Sequence, residues 1–212
     1  MNVPWVLSSP PFLTNSTFMC AHDVTGTLMA DDHPAYIADA LKLFHIQTLY
    51  PPQEEALPAV LTDRNVVLSI PTAAGKSLIA YLAILHQLKT KGGKALYIVP
   101  LRALAREKYE ELSQFSTFGL KVGISTGDLD ESDSRLSRYD IIICTSEKAD
   151  SLLRHGITWI DDIHVLVIDE IHLIHDAHRG PTLEVIIARF KAQSYSATDC
   201  AVGHDKKCRG AG

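Results

Sequence analysis

The chain has 212 residues, a formal net charge of -5 and a sequence pI of about 6.0. This length allows a domain with a buried core, and 46% hydrophobic with 21% charged residues is typical of a globular protein. The acidic balance argues against binding nucleic acid through bulk positive charge alone, but it is compatible with a groove lined by a few cations. No apolar run approaches the roughly 18 residues that a membrane span requires, so we expect no membrane partner.

Residues 1–32 are rich in Pro, Ser and Thr and follow neither a helical nor a strand period, which predicts a poorly ordered extension. A small arm packed on the domain is the alternative. No Lys or Arg precedes Lys42, so a secretory signal would lack its basic region. The cysteines are scattered, which predicts reduced thiols in a cytoplasmic protein. They are Cys20, Cys144, Cys200 and Cys208.

A helix is predicted over Pro34–Phe44, and a proline pair at 51 and 52 then begins a second helix. Gln53 falls in its first turn. A glutamine held there can meet the adenine edge with one donor and one acceptor, and Phe44 or Ile46 could cover the ring face. The alternative is an ordinary exposed glutamine.

The stretch from Asn65 to Lys89 predicts a phosphate-binding loop. A short apolar run precedes P-T-A-A-G-K-S, and leucines then recur at helical spacing. In this arrangement loop N–H groups and a helix N-terminus converge on an anion. Lys76 would reach the β- and γ-phosphates, and the Ser77 hydroxyl would ligate Mg²⁺. The full template has Gly where Ile70 stands, so a helix start with a surface lysine is the alternative.

Further buried strands are predicted at 95–99, 121–125, 141–144 and 164–168. Arg102 follows the first of them, at the edge where open α/β sheets place ligands, and Thr145 or Ser146 would cap the helix after the third. Asp169 and Glu170 end the last strand. Asp169 would hold Mg²⁺ through its water shell and Glu170 would polarise a water, unless they are simply two acids at a solvated strand end. We expect this strand and the strand before the phosphate loop to be neighbours in the sheet.

A last helix is predicted over Pro181–Gln193, and residues 194–212 are expected to form a loose tail. Cys200, His204 and Cys208 could supply three zinc ligands, but free thiols in a tail are the favoured interpretation.

Strands alternating with helices predict an α/β fold with a mainly parallel sheet sandwiched by helices. Seven motifs lie in order between Ala35 and Phe190: L-Y-P-P-Q, P-T-A-A-G-K-S, P-L-R-A-L, T-G-D, T-S-E-K-A-D-S-L-L-R, D-E-I-H and R-G-P-T-L-E. Together they resemble the first RecA-like, P-loop NTPase motor domain of superfamily 2 helicases. The resemblance is in particular to archaeal replication-fork repair DNA helicases related to the helicase part of polymerase theta. It places a helicase ATP-binding domain at residues 33–193.

The resemblance implies ATP and Mg²⁺ as cofactors, with Gln53 on adenine, Ser77 and Asp169 at the metal, and Glu170 at the water. His172 would link the γ-phosphate to a neighbouring domain, and Lys76 completes the catalytic set. The residues that would hold the phosphates are Thr72, Ala73, Ala74, Gly75, Lys76 and Ser77. Those that would grip the backbone of a tracking strand are Arg102, Thr126, Gly127, Thr145, Glu147 and Lys148.

The implied partner is single-stranded or forked DNA, with RNA less favoured, in a cytoplasmic, nucleoid-associated archaeal or prokaryotic setting. The family continues from R-G-P-T-L-E through an apolar strand into S-A-T. Here Ser196 follows the helix almost directly, so we expect that strand to be absent and the S-A-T to be fortuitous; the alternative is that the chain was shortened there. Nothing beyond Thr198 resembles the second motor domain, which normally contributes an arginine finger. The chain is therefore predicted to bind nucleotide and single-stranded DNA weakly and not to unwind a duplex alone.

Two other functions are weighed against this motor lobe. One is a non-catalytic nucleotide- or single-strand-binding module that acts with a separate motor half or a repair partner. The other is a small P-loop kinase, which would need an Arg-rich lid that the sequence does not show and would leave T-S-E-K and R-G-P-T-L-E unexplained.

Overall fold

The computed structural model describes residues 16–20, 33–69, 75–127, 133–193 and 198–203. The α-helices in these ranges are α1 (Ala35–Leu43), α2 (Pro51–Leu61), α3 (Lys76–Thr90), α4 (Arg102–Leu112), α5 (Asp133–Leu136), α6 (Ser146–Arg154) and α7 (Gly180–Gln193). The strands are β1 (Ser16–Cys20), β2 (Asn65–Ser69), β3 (Lys94–Val99), β4 (Val122–Ser125), β5 (Ile141–Thr145), β6 (Ile163–Asp169) and β7 (Thr198–Gly203). Short 3-10 segments lie at Ser113–Phe118, Thr158–Asp162 and Ile171–His175.

Within the described residues, all the strands join one parallel sheet in the order β1-β2-β7-β6-β3-β5-β4. A parallel sheet aligns the carboxyl ends of its strands at one edge, and the loops that follow them meet there. The predicted α/β fold with a mainly parallel sheet is confirmed.

Both faces of the sheet are covered, as expected for parallel strands that read as continuous apolar runs. Helices α1 to α4 pack on one face, and α5 to α7 pack on the other. Side chains of paired strands alternate between the two cores in register. Tyr97, Ile143 and Val167 enter the first core, whereas Leu96, Ile142 and Leu166 enter the second.

The structure differs from the sequence-based expectation at both ends of the chain. The sequence predicts a loose tail without a strand over residues 194–212, yet Thr198–Gly203 pair with β2 on one side and β6 on the other. The prediction that β2 and β6 are neighbours in the sheet is also wrong, because β7 lies between them. Ser16–Cys20, inside the expected poorly ordered extension, pair in parallel with β2.

Among the residues that the structure describes, no helix combines the length and the apolar character needed to cross a bilayer.

Candidate nucleotide site and the adjoining cavity

The phosphate-loop segment ends at Gly75, which adopts a left-handed conformation with φ 68° directly before α3. Thr72, Ala73 and Ala74 lie outside the described residues. A Cβ on Gly75 would stand 2.4 Å from Nε2 of Gln53, so both the backbone angle and the space at this position call for glycine. The chain then enters α3 with Lys76 and Ser77 in the first turn, where helix N–H groups face outward to an anion.

Gln53 is buried, with 2% of its surface exposed, so the alternative of an exposed glutamine does not apply. Its Oε1 accepts a hydrogen bond of 2.9 Å from the Tyr50 backbone N–H, and its Nε2 donates one of 2.9 Å to the Gly75 carbonyl. The side chain thus fixes the start of α2 to the end of the phosphate loop. The Phe44 ring packs 5.6 Å from the ring centres of Tyr81 and Phe115, in the core.

The acidic end of the site is made by β6. Asp169 is its last residue, and the following Glu170 turns through a left-handed conformation with φ 55°. The Glu170 N–H donates to Oδ1 of Asp169 at 3.0 Å. Nδ1 of His172 lies 3.1 Å from Oε2 of Glu170, an ion pair when the imidazole is protonated. Glu170 therefore contacts both of the other residues predicted from D-E-I-H, Asp169 and His172.

Lys76 and Asp169 lie at the same edge of the sheet although β7 lies between β2 and β6. Two strand spacings separate β2 from β6 by about 10 Å, a gap that a lysine side chain can reduce substantially. Lys76 is buried, with 6% exposure, so it does not extend into solvent as the surface-lysine alternative required. Its charge acts on Asp169, lowering the pKa of that carboxyl.

The net pKa of Asp169 is nevertheless raised above its usual value. Burial is the main cause and the Glu170 charge adds to it, while Lys108, the Glu170 N–H and Lys76 oppose them. Two carboxylates that share a partly desolvated corner favour a divalent cation. The groups available here, a Ser77 hydroxyl and carboxylate oxygens, are hard oxygen donors, so the site fits Mg²⁺.

A second feature of the same edge is a cavity of about 340 Å³, which we call the Arg102 cavity. It lies where β3, β4 and β5 end side by side. Five of the six residues predicted to grip nucleic acid line it, and Gly127 is adjacent to one of them. The lining residues are Pro100, Leu101, Arg102, Thr126, Thr145, Glu147 and Lys148.

Two helix N-termini face this cavity, because α4 begins at Arg102 and α6 follows Thr145. Thr145 caps α6, with its Oγ1 accepting a hydrogen bond of 3.4 Å from the Lys148 N–H, as the sequence predicted. Arg102 is exposed, whereas Lys148 is buried to 9% exposure. Two helix ends and two cations make a surface suited to phosphate oxygens.

A buried polar group behind the nucleotide site was not predicted. Lys108 on α4 is 6% exposed, and its Nζ lies 3.0 Å from Oε1 of Glu107 and 3.2 Å from Oε2 of Glu111. Burial acts to lower the pKa of Lys108, but these two carboxylates outweigh burial and raise it, so the ammonium stays charged. Among the cations that act on Asp169, Lys108 has a larger effect than Lys76.

The same Glu111 accepts a hydrogen bond from the Tyr81 hydroxyl, which also hydrogen-bonds the Ser77 hydroxyl. Burial, with the nearby Tyr97 and Glu111, raises the pKa of Tyr81 far above its usual range. A Tyr four residues after Ser77 and a Lys in the middle of α4 were the available sequence signals. Neither indicates a site until the two helices are seen side by side.

The family model for the DEAD/DEAH box helicases matches residues 50–201. The chain belongs to the DEAD/DEAH box helicase family. Each of the structural features above, from Tyr50 to β7, lies within or at the border of that match.

Two archaeal proteins are examples of the curated relatives of this helicase domain. The chain is 55% identical over 154 residues to the ATP-dependent DNA helicase Hel308 of Pyrococcus abyssi, covering 72% of this chain and 22% of the relative. It is 50% identical over 165 residues to the ATP-dependent DNA helicase Hel308 of Methanocella arvoryzae, covering 73% of this chain and 22% of the relative. The chain therefore spans about a fifth of the length of these relatives.

Solved helicase structures share the fold. The DUF1998 helicase MrfA bound to DNA and AMPPNP matches with a TM-score of 0.66 and 24% identity, over 83% of this chain and 27% of that chain. The same helicase bound to DNA matches with a TM-score of 0.65 and 26% identity, over 82% of this chain and 27% of that chain.

Proposed function

We propose that this domain is the ATP-binding motor lobe of an ATP-dependent DNA helicase. The observation that carries the proposal is that Lys76, buried at the start of α3, and the Asp169–Glu170 pair at the end of β6 lie at the same edge of the sheet, with the Lys76 charge acting on Asp169. The DEAD/DEAH box match and relatives named ATP-dependent DNA helicases support it.

The residues divide the work of phosphoanhydride hydrolysis between them. The Lys76 ammonium neutralises the β- and γ-phosphate oxygens, while the N-terminus of α3 donates N–H groups to the same oxygens. Glu170 orients the attacking water and accepts its proton, and His172 holds the Glu170 carboxylate in place. Ser77 and Asp169 would hold Mg²⁺, which supplies charge neutralisation of the triphosphate when bound.

Adenine recognition by Gln53 belongs to the same proposal. The bonds of Gln53 to Tyr50 and Gly75 support it, because they hold the amide at the entrance of the phosphate loop. Thr72 to Ala74 are assigned to the phosphates by their place in the motif alone.

The nucleic-acid partner is proposed to be the phosphate backbone of single-stranded or forked DNA, held along the Arg102 cavity. Contacts from Arg102, Lys148 and the N-termini of α4 and α6 are directed at phosphate and would carry little sequence information. Work at stalled forks is a prediction from the family resemblance.

The test is titration of a fluorescent ATP analogue with Mg²⁺ against the wild-type chain, Lys76→Ala and Lys42→Ala. Lys42 is an exposed lysine on α1 and serves as the matched control. Loss of a charged contact to phosphate predicts roughly tenfold to hundredfold weaker binding for Lys76→Ala. Lys42→Ala should bind like wild type. Equal affinity of all three proteins would contradict the proposal.

A further inference from the structure

A chain of hydrogen bonds runs from the phosphate-loop serine to a buried ion pair on the neighbouring helix. Its members, in order, are Ser77 and Tyr81 on α3, then Glu111 and Lys108 on α4. Tyr81 is 3% exposed and Lys108 is 6% exposed, so both are held in the interior. None of these contacts is needed to explain why α3 packs against the sheet, because its apolar side chains already do so.

The direction of the hydrogen bonds follows from what each group can donate. Glu111 is a carboxylate and can only accept, so it takes the single hydroxyl hydrogen of Tyr81. With that hydrogen used, the Tyr81 oxygen can only accept from Ser77. The hydrogen of the Ser77 hydroxyl is therefore directed at Tyr81, and the Ser77 lone pairs are turned away from it.

A serine that ligates Mg²⁺ does so through a lone pair, so its hydrogen must point elsewhere. We propose that Tyr81 is a positioning residue for the metal site, which accepts the Ser77 hydrogen and so presents the Ser77 oxygen to Mg²⁺. Glu111 orients Tyr81, and Lys108 holds Glu111 in place at 3.2 Å. The inference rests on the proposed nucleotide-binding function and adds to it residues that do not touch the nucleotide.

The experiment measures the affinity of a fluorescent ADP analogue twice for each protein, once with saturating Mg²⁺ and once with EDTA. The ratio of the two affinities is the gain that the metal contributes. Tyr81→Phe removes only the hydroxyl, so its affinity in EDTA should match wild type. Its Mg²⁺-dependent gain should fall roughly tenfold or more, the effect typical of losing a group that orients a metal ligand.

Tyr109→Phe is the matched control. The Tyr109 side chain is also on α4, but it lines the cavity beside β4 rather than the hydrogen-bond chain from Ser77 to Lys108. The control variant should keep the full gain. Glu111→Gln keeps an acceptor for the Tyr81 hydroxyl but loses the negative charge. Its Mg²⁺-dependent gain should therefore fall by less than that of Tyr81→Phe. This variant also tests the network if Tyr81→Phe folds poorly.

Melting temperatures separate positioning from simple packing. If the Tyr81–Glu111 hydrogen bond only joins α3 to α4, Tyr81→Phe should have a lower melting temperature and an unchanged Mg²⁺-dependent gain. That result would overturn the inference. A full gain in Glu111→Gln also counts against it. Failure of wild type to bind the analogue in either buffer would instead overturn the proposed function itself, and this inference with it.

Discussion

Two residues with left-handed backbone angles flank the nucleotide site, Gly75 before α3 and Glu170 after β6. For a residue other than glycine this conformation costs on the order of 1–2 kcal/mol. At Glu170 the turn brings its N–H onto Asp169 and its carboxylate to His172. Strain of this kind is typical of residues held in place for a function.

Gly75→Ala tests how tightly the phosphate loop is fixed to Gln53. The substitution adds backbone strain and places a Cβ 2.4 Å from Nε2 of a glutamine that is held by two hydrogen bonds. We expect a loss of stability greater than the roughly 1–2 kcal/mol of backbone strain alone, measured by denaturant unfolding.

Gly119→Ala is the control, because Gly119 has φ 79° and a Cβ added there would meet nothing within 4 Å. The excess cost of Gly75→Ala over Gly119→Ala should vanish in a Gln53→Ala background, where the clashing amide is gone. An excess that persists there would show that Gln53 is not what the added carbon meets.

At the scale of elements, α3 departs from its sequence pattern. Burial extends well beyond the leucines that recur at helical spacing, because all residues from Leu78 to Leu88 are buried, including His86 and Gln87. The sheet covers one side of the helix, and α1 and α2 cover much of the rest. Polar residues on a helix buried all round generally need hydrogen-bond partners, and Oε1 of Gln87 is one exception within the described residues.

His86 shows such a partnership at the end of α3 far from Lys76. Its Nδ1 is hydrogen-bonded to the Tyr36 hydroxyl of α1 at 2.7 Å, and its Nε2 lies 4.0 Å from Oδ1 of Asp63. Asp63 also pairs with Lys91 at 2.8 Å. Burial lowers the pKa of His86 below 6.5, with Lys91 acting in the same direction and Asp63 opposing them.

This arrangement predicts a loss of stability on mild acidification. In the unfolded chain His86 binds a proton near pH 6.5, whereas in the folded chain it does so only at a lower pH. Above about pH 6.5 the free energy of unfolding is therefore not reduced by protonation of His86. It falls as the pH drops from about 6.5 through the lowered folded pKa. Thermal unfolding of wild type and His86→Gln across this range should show a shallower decline for the variant. Parallel curves would exclude His86 as the source.

For the whole molecule, β3 divides the carboxyl edge of the sheet into two working regions. On one side lie the strands that carry the nucleotide site, and on the other lie β5 and β4 with the Arg102 cavity. Helix α4 follows β3 and takes part in both, with Arg102 at the cavity and Lys108 behind the nucleotide site. One helix thus contributes residues to both regions, at the Arg102 cavity directly and at the nucleotide site from behind.

Binding of single-stranded DNA tests the second region. Arg102→Ala should weaken binding of labelled oligonucleotides of different sequence by a similar factor and reduce the salt slope by about one, because one phosphate contact is lost. Arg106→Ala is the control on the same helix, where the arginine pairs with Glu110 at 3.3 Å and is exposed. Fluorescence anisotropy at several salt concentrations gives both quantities. An equal effect of the two variants would place the DNA elsewhere.

Local sequence signals were enough to locate most strands of the sheet, most of the helices that cover it and the residues at the carboxyl ends of those strands. Apolar runs and breaks in periodicity depend on neighbouring residues alone, and they located β2, β3, β5 and β6 to within about two residues. The motifs likewise indicated Lys76, Asp169 and Arg102, which the structure brings to one edge of the sheet.

The sheet order and the polar network behind the site became visible only in three dimensions. Thr198–Gly203 contain an apolar run of only three residues, Cys200 to Val202, yet β2 and β6 each present backbone groups that a strand between them satisfies. Tyr81, Glu111 and Lys108 are ordinary helix residues in sequence, and they become a network because α3 and α4 pack on the same face of the sheet. Hydrogen-bond pairing between distant segments depends on where the chain returns, which local patterns do not encode.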